Sequence, residues 1–134
     1  MDMKHLDELK SLHLPAGDFA VFGSGPLAIR GWRDSQDIDI IVRRSLWNEL
    51  SEKYKDKIKA EKEIQIGNVS IFRDWLPWFA DNDALIDSAD EFAGIRFVSL
   101  ENVLKWKQAM GREKDLKDIE LININLTNEK TANQ

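Results

Sequence analysis

The sequence predicts an α+β (α/β) fold in which helices pack on a small mixed β-sheet. Apolar stretches of strand length alternate with amphipathic stretches of helix length through the first half of the chain, and helical stretches follow. The stretch DFAVFG is predicted to be a strand that enters a glycine turn, and DIDIIV is predicted to be the next strand. Gly67-Asn68 separates the apolar stretches EIQIG and NVSIF, which is a hairpin signal.

The remaining elements follow from apolar spacing and from capping residues. Helices are predicted at MDMKHLDELKSLHL, SGPLAIRGW, SLWNELSEKY, DALIDSADEF, SLENVLKWKQAMG and EKDLKDIELININL, with a further strand at IRFV and an irregular stretch at RDWLPWFADND. Ser45 and Ser99 are the expected N-caps of two helices, and Gly111 is expected to close one. The last helix is expected to bury Leu116, Ile119, Ile122 and Leu126.

Length and composition indicate one soluble domain. A chain of 134 residues is most simply a single domain, predicted here over residues 1–126 with a flexible tail at 127–134. The apolar fraction of 43% and the charged fraction of 32% are typical of globular proteins. The chain has no cysteine, no apolar signal core and no bilayer-length apolar run, so we expect a cytoplasmic protein without membrane contact.

The charge balance argues against a general nucleic-acid binder. The formal net charge is −5, whereas such proteins are usually basic. The segment 105–117 is an exception, because it carries five basic residues and two acidic ones. A locally positive segment on an acidic protein suits a small anion.

Two acids interrupt an otherwise apolar strand. Side chains alternate across a strand, so Asp37 and Asp39 share one face, about 7 Å apart, while Ile38 and Ile40 face the core. Adjacent carboxylates repel each other, and a divalent cation between them removes the repulsion. The alternative is structural: Asp37 caps the strand, and Asp39 pairs with an arginine such as Arg30 or Arg33.

The glycine turn upstream favours the functional interpretation. Gly23-Ser24 follows a short strand and opens a helix, where backbone N–H groups can bind an anion. A phosphate held there would lie close to a metal ion on the neighbouring strand. The order Gly-Ser, short helix, acidic pair is more specific than either motif alone.

With these motifs, the stretch from Phe19 to Val42 resembles the nucleotidyltransferase superfamily, which has the DNA-polymerase-β-like fold. The elements LAIRGWR and SQDIDIIV are most similar to small bacterial nucleotidyltransferases and AbiE-type toxins. The resemblance implies that Asp37 and Asp39 are catalytic metal ligands for Mg²⁺. It also implies that Gly23, Ser24 and Arg33 contact the phosphates of a nucleoside triphosphate.

A second cluster lies near the C-terminus. Lys107 falls in the middle of an apolar helix stripe, and Asp115 lies on the buried face of the next helix, with Asp118 at its edge. A structural lysine would extend its amine to solvent or pair with Asp115. The stretch KDLKDI instead resembles the C-terminal motif of the family, which implies that Lys107 and Arg112 contact phosphates and that Asp115, with Asp118 as a further candidate, organises the site.

The third carboxylate of many family members has no direct counterpart. Ser70 stands where Glu or Asp is expected, and Asp74 or Asp115 are the candidate replacements. Trp75 and Trp78 flank Pro77 in the irregular stretch and would either pack, stack on a base or cover a partner.

These interpretations combine into one functional hypothesis. The protein is expected to be a Mg²⁺-dependent nucleotidyltransferase that moves a nucleotidyl group from a nucleoside triphosphate to a protein, tRNA or small-molecule acceptor. We expect positions 23, 37, 39 and 107 to share one cleft. The alternatives are a catalytically impaired binding protein of the same fold and a toxin–antitoxin component, with a homodimer or a cognate protein as partner.

Overall fold

A computed structural model describes residues 3–75 and 77–132 of the chain. Its contacts divide the chain into two compact units, a sheet unit over Met1–Ser99 and a helical unit over Leu100–Gln134. The boundary of the predicted single domain at residue 126 stays a prediction. In the described ranges, no helix is both long enough and apolar enough to cross a bilayer.

The sheet unit has a mixed architecture, which confirms the predicted fold class. Its described residues form seven strands and four α-helices. The strands are β1 (Phe19–Phe22), β2 (Ile38–Val42), β3 (Ile58–Lys59), β4 (Glu63–Ile66), β5 (Val69–Phe72), β6 (Asp90–Phe92) and β7 (Ile95–Phe97). The helices are α1 (Leu6–Lys10), α2 (Gly25–Ala28), α3 (Arg44–Lys53) and α4 (Asn82–Asp87), and a 3₁₀ turn spans Lys55–Lys57.

The strands form one sheet in the order β3-β4-β5-β2-β1-β7-β6. β2 is antiparallel to β1 and parallel to β5, so it lies at the centre. The predicted hairpin around Gly67-Asn68 is confirmed, since β4 and β5 pair antiparallel across it. The carboxylate of Glu8 holds this turn by accepting hydrogen bonds from the Asn68 backbone and side-chain amides, at 2.9 and 3.2 Å. These bonds lower the pKa of Glu8.

The two faces of β2 have different surroundings. Ile38 and Ile40 are fully buried in the main apolar core, as predicted. The core also includes Val21 on β1 and Leu46 on α3. The opposite face carries Asp39, which is half-buried, and Ile41, which is fully buried. The alternation places the acidic side chain on the face away from that core.

Two local predictions in this unit are wrong. Helix α3 begins at Arg44 after the extended residue Arg43, so Ser45 lies in its first turn and is not the N-cap. The helix predicted at DALIDSADEF ends at Asp87, and β6 follows it. Ala93 and Gly94 both have positive φ and join β6 to β7 in a two-residue hairpin. Because the end of the predicted helix forms the first strand of this hairpin, it is not helical.

The helical unit consists of α5 (Leu100–Met110) and α6 (Glu113–Ala132). Gly111 closes α5 as predicted, with φ of 62° and its N–H donating to the Lys107 carbonyl at 2.9 Å. Helix α6 continues past Leu126, where the predicted helix ended. Its deeply buried positions are Asp115, Asp118 and Ile122.

The prediction that Leu116 is buried is wrong, because its side chain is 58% exposed. The buried positions on α6 recur at intervals of three and four residues from Asp115. Leu116 lies about 100° around the helix from Asp115, and so leaves this stripe. Asp115 and Asp118 therefore lie on the buried face of α6, where the hydrophobic pattern predicted Leu116.

A substitution at Gly25 tests the packing between α2 and β1. A Cβ atom on Gly25 would lie 2.3 Å from Cγ1 of Val21. We expect Gly25→Ala to lower the free energy of unfolding by about 1–3 kcal/mol, because an added methyl overpacks the core. Urea denaturation measures the change. The matched control is Gly17→Ala, where a Cβ meets nothing within 4 Å; an equal loss in both variants would contradict this account of the packing.

Candidate functional site

The candidate site starts at the turn between β1 and α2. Gly23 has φ of +65°, a left-handed conformation that favours glycine, and it lets the chain turn directly from the strand into the helix. A Cβ atom on Gly23 would lie 2.9 Å from Oδ2 of Asp39. The backbone of the turn and the carboxylate are therefore in close contact, as the sequence predicts for Gly23 and Asp39.

The register of the sheet produces this contact. Phe22, the last residue of β1, lies opposite Asp39 in the antiparallel pair with β2. Directly opposed residues place their side chains on the same face. Gly23 follows Phe22 and so passes beside the carboxylate. The pairing of the two strands therefore places the turn at Gly23 beside the carboxylate of Asp39.

Asp37 lies just before β2 and is exposed, while Asp39 is half-buried. Ser35 donates a hydrogen bond from Oγ to the Asp37 carbonyl at 2.5 Å, which holds the entry to the strand. Ser24 precedes helix α2, in the predicted place, but that helix has only four residues. An anion at this turn would therefore depend on nearby N–H groups more than on a helix dipole.

The arginines near the turn have contacts of their own. Arg30 pairs with Asp90 at 3.0 Å and donates to the Pro26 carbonyl at 2.6 Å, while its guanidinium lies 4.7 Å from the Phe92 ring centroid. Nε of Arg33 donates to the Asp34 carbonyl at 2.9 Å. The predicted phosphate contact of Arg33 stays a prediction.

Ser70 is the direct neighbour of Asp39 on the parallel strand β5. The residue is buried, with 8% of its surface exposed. The position predicted for a third carboxylate is therefore beside Asp39, and it holds a hydroxyl group. The serine can donate or accept a hydrogen bond, but it carries no negative charge to bind metal or take a proton.

Asp74 is not placed to replace a carboxylate at Ser70. It follows β5 and pairs with Arg73 at 3.0 Å. Both residues line a cavity of about 470 Å³ together with Arg44 and residues 80–83. The cavity lies where β2 and β5 end, whereas Asp39 and Ser70 lie near the start of these strands.

The helical unit contains a cluster of four charged residues, three of which are buried. Nζ of Lys107 lies 2.8 Å from Oδ2 of Asp118 and 3.7 Å from Oδ1 of Asp115. Arg112 donates from Nε and Nη2 to the two oxygens of Asp115, at 2.6 and 3.1 Å. Lys107, Asp115 and Asp118 are at most 3% exposed, whereas the Arg112 side chain is 39% exposed. The buried amine and the two carboxylates compensate each other out of water, and Arg112 adds a partly exposed second cation.

Asp115 also begins helix α6. Its Oδ2 accepts the backbone N–H of Arg112 at 3.1 Å, as the third helical residue does in a capping box. Burial pushes the pKa of Asp115 upward, but the hydrogen bonds from Arg112 outweigh it and hold that pKa below its usual range. The carboxylate is therefore ionised at neutral pH.

The structure thus refines the predicted cluster. The pairing of Lys107 with Asp115 is present, but Asp118 is the closer partner of the amine. Sequence reasoning gave Asp118 the lesser role, although its spacing of three from Asp115 already placed both on one helix face. Trp106 adds ring contacts, with its centroid 5.1 Å from Nζ of Lys107 and 5.6 Å from Cζ of Arg112. The predicted phosphate contacts of Lys107 and Arg112 stay predictions.

Comparisons of the chain with models of protein families, with curated proteins and with solved structures find no match. Within the described ranges, no group of three or more histidine, cysteine, aspartate or glutamate side chains is placed to hold a metal ion. A metal at Asp37 and Asp39 would thus have two carboxylates, which is a donor set that Mg²⁺ accepts when waters or phosphate oxygens complete its coordination.

Two lysines on α5 test the buried charge cluster. We expect Lys107→Met to lower the free energy of unfolding by about 3–5 kcal/mol, because it leaves Asp118 buried without its nearest cation. The matched control is Lys105→Met, since Lys105 is exposed and its pair with Glu101 spans 3.8 Å at the surface. Its loss should cost less than about 1 kcal/mol. Equal effects in chemical denaturation would show that the cluster does not stabilise the fold.

Proposed function

We propose that this protein binds the Mg²⁺ complex of a nucleoside triphosphate at Gly23, Ser24, Asp37 and Asp39, and transfers the nucleotidyl group to an acceptor. The observation that carries the proposal is the contact between the Gly23 turn and the Asp39 carboxylate. A turn of this kind suits an anion, whereas a carboxylate suits a cation. A ligand that satisfies both contains an anion and a cation in contact, as a metal–phosphate complex does.

The two parts of the site have separate tasks. Backbone N–H groups at the Gly23–Ser24 turn bind phosphate oxygens, and the missing Cβ of Gly23 leaves room for the Asp39 carboxylate beside the turn. Asp37 and Asp39 hold Mg²⁺, which when bound neutralises phosphate charge and orients the triphosphate. Exposed Asp37 and half-buried Asp39 leave one side of the pair accessible to a ligand.

The proposed reaction is transfer of the nucleotidyl group to a hydroxyl group. An acceptor hydroxyl attacks the α-phosphorus, a new P–O bond forms, and the bond to the bridging oxygen of the leaving group breaks. Pyrophosphate departs, and the hydroxyl proton passes to water. The acceptor is a protein, a tRNA or a small molecule.

A second candidate is a triphosphate-binding protein that does not transfer the nucleotidyl group. Ser70 favours it, because the neighbour of Asp39 supplies no carboxylate base for the acceptor hydroxyl. Such a protein would act through a partner, for example as a toxin–antitoxin component, a homodimer or a complex with a cognate protein. An α-phosphate-labelled triphosphate separates the candidates when cell extract supplies the acceptors: transfer of label supports the enzyme, and binding without transfer supports the second candidate.

Isothermal titration calorimetry tests the shared step, which is metal-dependent binding. We expect the wild type to bind at least one of the four ribonucleoside triphosphates in the presence of Mg²⁺ and to lose the heat of binding with EDTA. Asp39→Asn should weaken binding roughly tenfold or more, since it removes a charged metal ligand without changing shape. Asp37→Asn should weaken it in the same direction.

The control for these variants is Asp56→Asn, an exposed carboxylate on the 3₁₀ turn. It should bind as tightly as the wild type. The proposed function is overturned if the wild type binds no triphosphate with Mg²⁺, or if Asp39→Asn binds as tightly as Asp56→Asn.

A further inference from the structure

Trp78 is an exposed aromatic residue in the segment between β5 and α4. Its side chain is 39% exposed, and the other large apolar side chains left exposed among the described residues, Leu116 and Ile124, are aliphatic. The proposed function gives Trp78 no role so far. An exposed tryptophan presents a broad apolar face whose burial by a ligand is favourable.

The turn that carries Trp78 is anchored by aromatic contacts. The ring of Trp75 stacks on Phe22 at 4.5 Å with an interplanar angle of 18°, and it meets the edge of Phe72 at 4.8 Å. The ring of Phe79 lies 5.8 Å from Phe22. The Trp75 carbonyl accepts the N–H groups of Trp78 and Phe79, both at 3.1 Å, and a β-bridge joins Trp75 to Phe79. Trp78 therefore extends from a turn that is fixed on both sides.

This turn lies over the sheet face that carries Asp39. Phe22 is the anchor for both Trp75 and Phe79, and it is also the residue opposite Asp39 in the β1–β2 pair. Opposed side chains share a face, so the two rings that contact Phe22 cover the same side of the sheet as the carboxylate. Trp78 is the chain neighbour of Phe79 and donates its N–H to the Trp75 carbonyl, so its backbone lies on this side of the sheet.

We propose that Trp78 is the stacking platform for the nucleobase of the triphosphate bound at Gly23 and Asp39. The inference rests on the proposed function, which assigns residues to the phosphates and the metal but none to the nucleobase. An anchored tryptophan loses little conformational freedom on binding, and every base has a π-face that it can cover. Stacking of this kind discriminates weakly among bases, so purine triphosphates with their larger faces bind somewhat more tightly than pyrimidine triphosphates.

The test compares a ligand that has a base with one that has none. Calorimetry measures the affinity for Mg²⁺–ATP and for Mg²⁺ with inorganic tripolyphosphate, in the wild type, Trp78→Ala, Trp78→Phe and Asp39→Asn. Trp78→Ala should weaken ATP binding about tenfold and leave tripolyphosphate binding unchanged, because one base stack is lost. Trp78→Phe should recover most of the ATP affinity, and Asp39→Asn should weaken the binding of both ligands.

Ile124→Ala is the control, because Ile124 is also an exposed apolar residue, at 50%, and lies in the helical unit. Thermal unfolding checks that each variant is folded. The inference is overturned if Trp78→Ala binds ATP like the wild type, or if it weakens both ligands equally. If Asp39→Asn weakens both ligands while Trp78→Ala weakens neither, the proposed function stands without the base platform. If Trp78→Ala weakens ATP binding and Asp39→Asn changes nothing, the nucleotide is bound at another site, and both the proposed function and the inference that rests on it are overturned.

Discussion

The close approach between the backbone at Gly23 and the carboxylate of Asp39 is the constraint on which the rest of the site depends. It results from the antiparallel register that sets Phe22 opposite Asp39. A shift of one residue in this register would turn Asp39 into the apolar core and bring Ile38 or Ile40 to the turn. Burial of these isoleucines therefore fixes the register and, with it, the position of Asp39.

The residues around that contact determine how open the site is and how much negative charge it carries. Aromatic rings over Phe22 shield one side of the face, and Ser70 on the parallel strand supplies a hydroxyl where a carboxylate would add charge. The proposed site has two acids, a donor set that Mg²⁺ accepts when waters or phosphate oxygens complete its coordination. The helical unit has a different design, because its two cations and two carboxylates are already neutralised by one another.

Much of this arrangement could be predicted from the sequence, because it depends on local patterns. The strand period of two placed Asp39 away from the core, and the order of glycine turn, helix and acidic strand brought Gly23 and Asp39 together. The hairpin at Gly67 follows from its turn residues. These features need only backbone geometry and the separation of polar from apolar side chains.

Features that depend on contacts between distant residues could not be predicted. The choice of Asp118 over Asp115 as the nearer partner of Lys107 is set by packing between two helices. The exposure of Leu116 follows from the same packing, since buried acids occupy the stripe that apolar spacing assigned to it. The strand at Asp90–Phe92 was missed because its partner β7 and the turn at Ala93-Gly94 outweigh a weak helical pattern.

The central claim is that the Gly23 turn and the carboxylates at positions 37 and 39 form one site for a metal–phosphate complex. The most direct measurement is a crystal structure with Mn²⁺ and a non-hydrolysable nucleoside triphosphate, in which anomalous scattering locates the metal. The account predicts an anomalous peak within bonding distance of carboxylate oxygens of Asp37 and Asp39, with phosphate oxygens at the Gly23–Ser24 turn. Nucleotide and metal bound elsewhere, with these carboxylates contacting neither, would contradict it.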